Sequence, residues 1–409
     1  MKIVGLVAEY NPFHNGHLYH IQKAKELTGA DAVLIVMSGN YVQRGAPAVM
    51  PKHLRAQMAL ESGADAVVEL PACYATGSAE YFAAGAVSTL NRLGCIDSIC
   101  FGSECGDYES LRQIAEILSE EPGDYKNYLK KALREGHSFP KSRQMALNAC
   151  LRGNSSDALL LSPNNILGIE YAKALYRQNS HIKGYTIKRR MSGYHDIHLS
   201  EGLSSASAIR RALTGNDGLH FLKEQVPPSS YSIIKDAHGL CSPVCADDFS
   251  LLLKYRLLTE TADSLTCYMD VTEDLANRIM NHINEFTSIS QFCQLMKTKD
   301  MTYARISRSL FHILLGITYE QMQESEGSGI CQYVRILGFR KDSSHVLSFM
   351  KKHAQIPLIT KLTQADSLSG IGGKMLRQDI FASDLYESVV TDKFGTPFIN
   401  EYQKQLKRI

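Results

Sequence analysis

The chain opens with a nearly continuous apolar run at residues 3–8. After a short polar stretch, Leu18, Ile21, Ala24 and Leu27 recur at helical spacing. Similar apolar runs return at 32–37, 66–70 (stopped by Pro71) and 98–101. Short runs without alternation are the mark of strands buried on both faces, as in parallel sheets. Between them, residues 52–61, with Leu54, Met58 and Leu60 apolar, and the small-residue-rich stretch 74–93 predict helices. Three candidate site segments fall at the strands' carboxyl ends: 14–17, 38–44 and 102–104. This alternation predicts an α/β fold, a doubly wound parallel sheet whose ligands sit at the strands' carboxyl ends.

Residues 108–149 predict helices broken near Pro122-Gly123 and Gly136. Ser162-Pro163-Asn164-Asn165 opens a further helix over 166–176. Asn164 reads as a cap, whereas Asn165 falls inside the first turn, where a ligand contact and a solvent-facing amide are equally compatible. Residues 185–188 read as a strand with a basic exit, Lys188-Arg189-Arg190, and a serine-rich segment at 204–207 precedes a helix carrying Ile209, Ala212 and Leu213. The turn-rich stretches 226–230 and 241–243 place a domain boundary near 240, dividing the chain into an α/β domain, 1–240, and a mostly helical one, 241–409. Helical spacing recurs beyond it at 247–259, 274–286, 288–296 and 301–315.

Composition narrows the class without deciding it. With 409 residues, 44% hydrophobic, 21% charged and a net charge of +2, the chain reads as an ordinary globular protein of two or three domains. No apolar run has the length of a membrane span and the first residues lack a signal-peptide core, so a cytoplasmic location is expected. The ten cysteines read as reduced thiols; Cys95, Cys100 and Cys105, and Cys241 and Cys245, lack the paired spacing of a zinc site and read as buried small hydrophobes, and no metal site is predicted. Near-neutral charge still leaves room for a local basic face. Lys297, Lys299, Arg305 and Arg308, followed by Arg335, Arg340, Lys341, Lys351, Lys352, Lys404, Lys407 and Arg408, with Tyr303, Phe311 and Tyr333 interleaved, suggest a nucleic-acid surface, with Arg305 and Arg308 as its candidate contacts. Nothing points to a membrane or to a protein partner.

The chemistry concentrates in Glu9-Tyr10-Asn11-Pro12-Phe13-His14-Asn15-Gly16-His17-Leu18. A strand turning sharply into a helix brings that helix's N-terminus, with its positive dipole end and expected unpaired N–H groups, to the strand's carboxyl end. His14 and His17 lie three apart on one face, and Gly16 between them lets a ligand approach the backbone. Two imidazoles there would cradle a phosphate that gains charge in its transition state. The pattern His-x-Gly-His is similar to the HIGH motif of nucleotidyltransferases, in which the histidines bind ATP phosphates. Ser204, Ser205 and Arg210 resemble those enzymes' second phosphate element, which holds the leaving pyrophosphate.

Over its whole length the sequence resembles the bacterial tRNA(Met) cytidine acetate ligase family. The match is carried by residues 5–18, 37–47, 68–71, 101–104, 162–171, 187–190, 204–210 and 303–308. The resemblance implies a Rossmann-like nucleotidyltransferase domain at 1–240 and a helical, tRNA-binding domain at 241–409. It implies an ATP site on Val7, Ala8, Glu9, Tyr10, Asn11, Pro12, Phe13, His14, Asn15, Gly16, His17, Leu18, Tyr19 and His20, with Gly102, Asn165, Arg190, Ser204 and Ser205; Asn164 and Arg189 stand as adjacent candidates. His14, His17 and Arg210 would be catalytic. The implied reaction joins acetate to ATP as acetyl-adenylate and passes the acetyl group to N4 of the wobble cytidine of elongator tRNA(Met), with Mg2+ accompanying ATP. The alternative is an adenylyltransferase acting on a small phosphorylated metabolite, often built as a single Rossmann-like domain. The helices past residue 240 weigh against it.

Overall fold

The computed structural model describes residues 1–151, 157–189, 206–215, 219–363 and 368–409. Among the described residues the strands are β1 (Ile3–Ala8), β2 (Ala32–Ser38), β3 (Tyr41–Val42), β4 (Ala46–Pro47), β5 (Ala66–Leu70), β6 (Ser98–Ser103), β7 (Lys183–Lys188), β8 (Val334–Phe339), β9 (Leu358–Ile359) and β10 (Lys407–Arg408). The main sheet runs β10-β8-β5-β2-β1-β6-β7, with β9 beside β8, and β3 pairs with β4 as a separate hairpin. β5, β2, β1, β6 and β7 are parallel, as the apolar runs predict. β8 runs antiparallel to β5, with β9 and β10 parallel to β8. The region beyond residue 240 is mostly helical and also returns these strands to the same sheet.

The helices that place the site are α1 (Asn15–Thr28), α2 (Lys52–Glu61), α3 (Ala79–Arg92), α4 (Pro163–Arg177), α5 (Ala206–Thr214) and α6 (Tyr303–Leu315). Successive strand residues point to opposite faces, so Val33, Ile35 and Met37 of β2 join one core while Ala32, Leu34 and Val36 join the other. The first core includes Ile21 and Ala24 of α1 and Ala56, Met58, Ala59 and Leu60 of α2; the second includes α3, α4 and α6. Both faces of the sheet are therefore covered, and all seven residues of β2 are buried.

The predicted helix 74–93 is interrupted. A short helix, Ala72–Ala75, ends at Thr76, and α3 begins at Ala79; at Gly77 between them a Cβ would meet that of Tyr81 at 2.7 Å. β1 pairs with β2 over six residues but with β6 only at Val4↔Ser98 and Gly5↔Ile99. Beyond Gly5 these neighbours part, at the point where strand order reverses. In open α/β sheets this crevice is where ligands bind.

Candidate nucleotide site

The turn from β1 into α1 is held by its own histidines. His14 is the N-cap of α1, in extended conformation, and its Nδ1 accepts the Gly16 N–H at 3.1 Å. Reciprocally, the His14 N–H donates to Nδ1 of His17 at 3.3 Å. This is a capping box built from imidazoles, which explains why the residues stand three apart. The rings stack with centroids 3.7 Å apart and 22° between planes. Tyr10 and Phe13, both fully buried, flank the His17 ring at centroid distances of 4.8 and 5.5 Å.

Two consequences follow. An Nδ1 that accepts a hydrogen bond carries no proton, so each neutral ring holds its hydrogen on Nε2 as its donor. Burial, together with the charges of Arg189 and Arg210, pushes the His14 pKa down to about 3; burial and neighbouring His14 hold His17 well below the usual range. Both rings are thus uncharged at neutral pH. The backbone at this helix start is also already engaged: the Asn15 N–H donates to Gln225 O at 3.0 Å, the Gly16 N–H to His14 Nδ1, and the His17 N–H to His14 O at 2.9 Å. The expectation of unpaired N–H groups is corrected accordingly. What the turn offers an anion is the imidazole donors and the helix dipole.

Two guanidiniums hold the loop before His14. Arg210 of α5 donates from Nη1 to Asn11 O at 2.8 Å and from Nη2 to Ser207 Oγ at 3.0 Å. Arg55, buried in α2, donates to the carbonyls of Glu9, Ser38 (3.2 Å), Gly39 and Met50 (3.0 Å), tying the ends of β1 and β2 together. Between those clamps Tyr10 adopts φ 46°. Asn11 accepts the Val49 N–H at 2.8 Å, and Asn15 Nδ2 donates to Glu224 O at 2.7 Å. Sequence reasoning missed Arg55, which looks like any polar helix residue until the strand ends converge on it.

Across the crevice, β6 supplies Gly102, where a Cβ would lie 3.3 Å from Arg189 Cγ. Glu104 caps α4: its carboxylate accepts the Asn165 N–H at 2.8 Å, the Asn164 N–H at 3.3 Å and the Asn164 Nδ2 at 2.6 Å. In return, Asn165 Oδ1 accepts the N–H groups of Glu104 and Cys105 at 3.0 and 3.1 Å. Asn164 is therefore not the cap the sequence suggested; both asparagines lie in the first turn, behind Ser162. Arg189 Nη1 reaches Asn164 Oδ1 at 3.3 Å.

His20, one turn beyond His17, has a buried Nε2 without a hydrogen-bond partner among the described residues, and burial plus Arg189 push its pKa down to about 4. Val7 and Ala8 end β1, and Leu18 and Tyr19 follow on α1. Arg190, Ser204 and Ser205 lie outside the described residues. Arg305 and Arg308 sit elsewhere, on α6, where Arg308 pairs with Asp270 at 3.1 Å. Phe311, Tyr333 and Arg335 are buried, Arg335 between Glu69 and Glu401, which removes them from the expected nucleic-acid surface. Among the described residues no three His, Cys, Asp or Glu side chains gather as a metal site. The ten cysteines are free; of those read as buried small hydrophobes, Cys100 is buried, while Cys95, Cys105, Cys241 and Cys245 are only half-buried. No helix of the described residues is long and apolar enough to cross a membrane.

A strand-order crevice, a histidine-capped helix start and an arginine bonded to the preceding loop define a nucleotidyltransferase of the HIGH type. The family model described as HIGH Nucleotidyl Transferase matches residues 1–397. The tRNA(Met) cytidine acetate ligase of Clostridium acetobutylicum is 42% identical over 414 residues, covering 99% of each chain. That of Alkaliphilus metalliredigens is 39% identical over 401 residues, covering 95% of each. A crystal structure of Thermotoga maritima TmcAL bound with alpha-thio ATP superposes with TM-score 0.87 at 33% identity, over 96% of both chains. Its apo form gives 0.92 at 32% identity, over 100% of both. The chain belongs to the tRNA(Met) cytidine acetate ligase family.

Proposed function

We propose that this protein activates acetate with ATP and acetylates N4 of the wobble cytidine of elongator tRNA(Met). An acetate oxygen attacks the α-phosphorus and pyrophosphate leaves, giving acetyl-adenylate. The cytidine N4 then attacks the acetyl carbon, AMP leaves, and the amine gives up a proton. The observation that carries this reading is the pair of neutral, stacked imidazoles on the cap of α1. Their Nε2–H donors would meet charge growing at the α-phosphate, and donors fixed in advance act strongly there. The ATP analogue bound by the Thermotoga relative supports a nucleotide in this crevice.

Arg210 would neutralise the departing pyrophosphate together with Ser204 and Ser205. Acetate is already ionised at neutral pH and needs no base for the first step. Magnesium would be held by the phosphates and water, since the described residues gather no carboxylate cage; bound there it would offset phosphate charge. Gly102, Asn165 and Arg190 would complete the nucleotide contacts, and Arg305 and Arg308 would meet the tRNA. We place the reaction in the cytoplasm, with its RNA substrate.

The test is acetate-dependent exchange of labelled pyrophosphate into ATP, without RNA. Wild-type protein should exchange; His14→Ala and His17→Ala should lower the rate by about a hundredfold or more. Absence of exchange in the wild type, or wild-type rates in both variants, would overturn the reading. Nucleoside mass spectrometry of the tRNA then checks for N4-acetylcytidine.

A further inference from the structure

The helical hairpin inserted between β6 and β7, Gly123–Arg134 and Phe139–Cys150, has a charge imbalance that the nucleotide site does not use. Residues 123–151 carry six cationic side chains against two acidic ones, a net +4, although the whole chain is only +2. The other residues are therefore net negative, at −2. The imbalance is local and lies on a defined face. In the first helix Tyr125, Leu129 and Ala132 form the inward stripe, with Tyr125 and Ala132 buried. Lys130, Lys131 and Arg134 form the opposite stripe at spacing i, i+1, i+4, and all three are exposed.

These three cations have no ion-pair or hydrogen-bond partner among the described residues, whereas Arg308 is tied to Asp270 and Lys393 to Asp248. Exposed aromatics accompany them: Tyr128, 47% exposed, and Phe139, 57% exposed. Unpaired cations beside exposed rings are the chemistry that takes up phosphates and stacks on bases or riboses. A protein surface with spare acidic groups would meet the charges but leave the rings without a use. We propose that this hairpin is a docking face for the sugar-phosphate backbone of an RNA; the inference rests on the RNA substrate of the proposed reaction and extends its contacts beyond α6.

The experiment combines Lys130→Glu, Lys131→Glu and Arg134→Glu in the full chain and measures tRNA affinity as a function of salt. Affinity near 0.1 M salt should fall about tenfold or more, and the slope of log affinity on log salt should shrink by about 2, as phosphate contacts are lost. Acetate-dependent pyrophosphate exchange, measured without RNA, should keep its wild-type rate, which also verifies folding. A neutral set, Lys130→Gln with Lys131→Gln and Arg134→Gln, should lower the slope in the same direction without adding repulsion. Wild-type affinity and slope in both sets overturn the proposal. Wild-type acetylation of the same tRNA separates the two readings. If it proceeds and the variants bind normally, the hairpin proposal alone fails. If no acetyl is transferred at all, the reaction reading fails, while weaker binding by the variants still upholds the hairpin.

Discussion

His14 and His17 do two things with one ring each: Nδ1 closes the turn and Nε2 keeps the ring's proton as a donor. An ordinary aspartate cap would close the turn but leave no donor behind. The same burial sets a pH signature. His14 is pushed down to about 3 and His20 to about 4, against an ordinary value near 6.5. For a base with a lowered pKa, the unfolded chain takes up protons first. Its contribution to stability is therefore complete above about pH 6.5 and is lost as pH falls toward 4 and then 3. Melting temperature should decline between pH 6.5 and 5, above the range where carboxylates dominate. Replacing His14 and His17 together by Asn should flatten that decline; an unchanged profile in the double variant would contradict the assignment.

At the scale of elements, the β3–β4 hairpin links the nucleotide loop to α6. The Gln43 N–H donates to Glu9 Oε1 at 3.0 Å, and Ser307 Oγ donates to Gly45 O at 2.5 Å. Gly45 has φ 67°, and a Cβ there would stand 2.4 Å from Arg308 Cα, backbone against backbone. Gly45→Ala should therefore cost about 2 kcal/mol or more, from the left-handed backbone and the forced separation together. Urea unfolding reads this directly, and a wild-type midpoint would show that the hairpin can move away freely.

The elements themselves were legible where one local pattern sufficed. β1, β5 and α2 fall on the predicted residues, and β2 and β6 extend theirs slightly, because buried parallel strands are continuous apolar runs. The histidine pair and Arg210 were readable as a motif, and the structure brings them onto one loop. Arg55 and the Glu104–Asn165 lock were not readable, because each depends on carbonyls or amides delivered by distant segments. The place of β8 was hidden for the same reason: nothing in residues 334–339 announces pairing with 66–69.

At the scale of the whole molecule, a buried charge network joins the ends of the chain. Lys52 Nζ contacts Glu69 at 2.6 Å, Glu401 at 3.1 Å and Ser383 Oγ at 2.7 Å. Arg335 bridges Glu69, at 3.2 Å, and Glu401. Lys52 is fully buried, so these carboxylates are its counter-charges in place of water. Glu401→Gln keeps the shape and removes one charge, and should destabilise the fold by about 3 kcal/mol in chemical denaturation. A loss under about 1 kcal/mol would mean that Glu69 alone balances the pair.

The outer edge of β5 is covered by β8, which is read from the message only at residues 334–339. A nascent chain emerging from the ribosome thus displays β5 as a bare edge, its backbone donors and acceptors open to any passing strand. The nucleotide half cannot seal its sheet when residue 240 appears; it waits until most of the remaining translation is done. Until then the growing polypeptide has reason to be shielded by a chaperone.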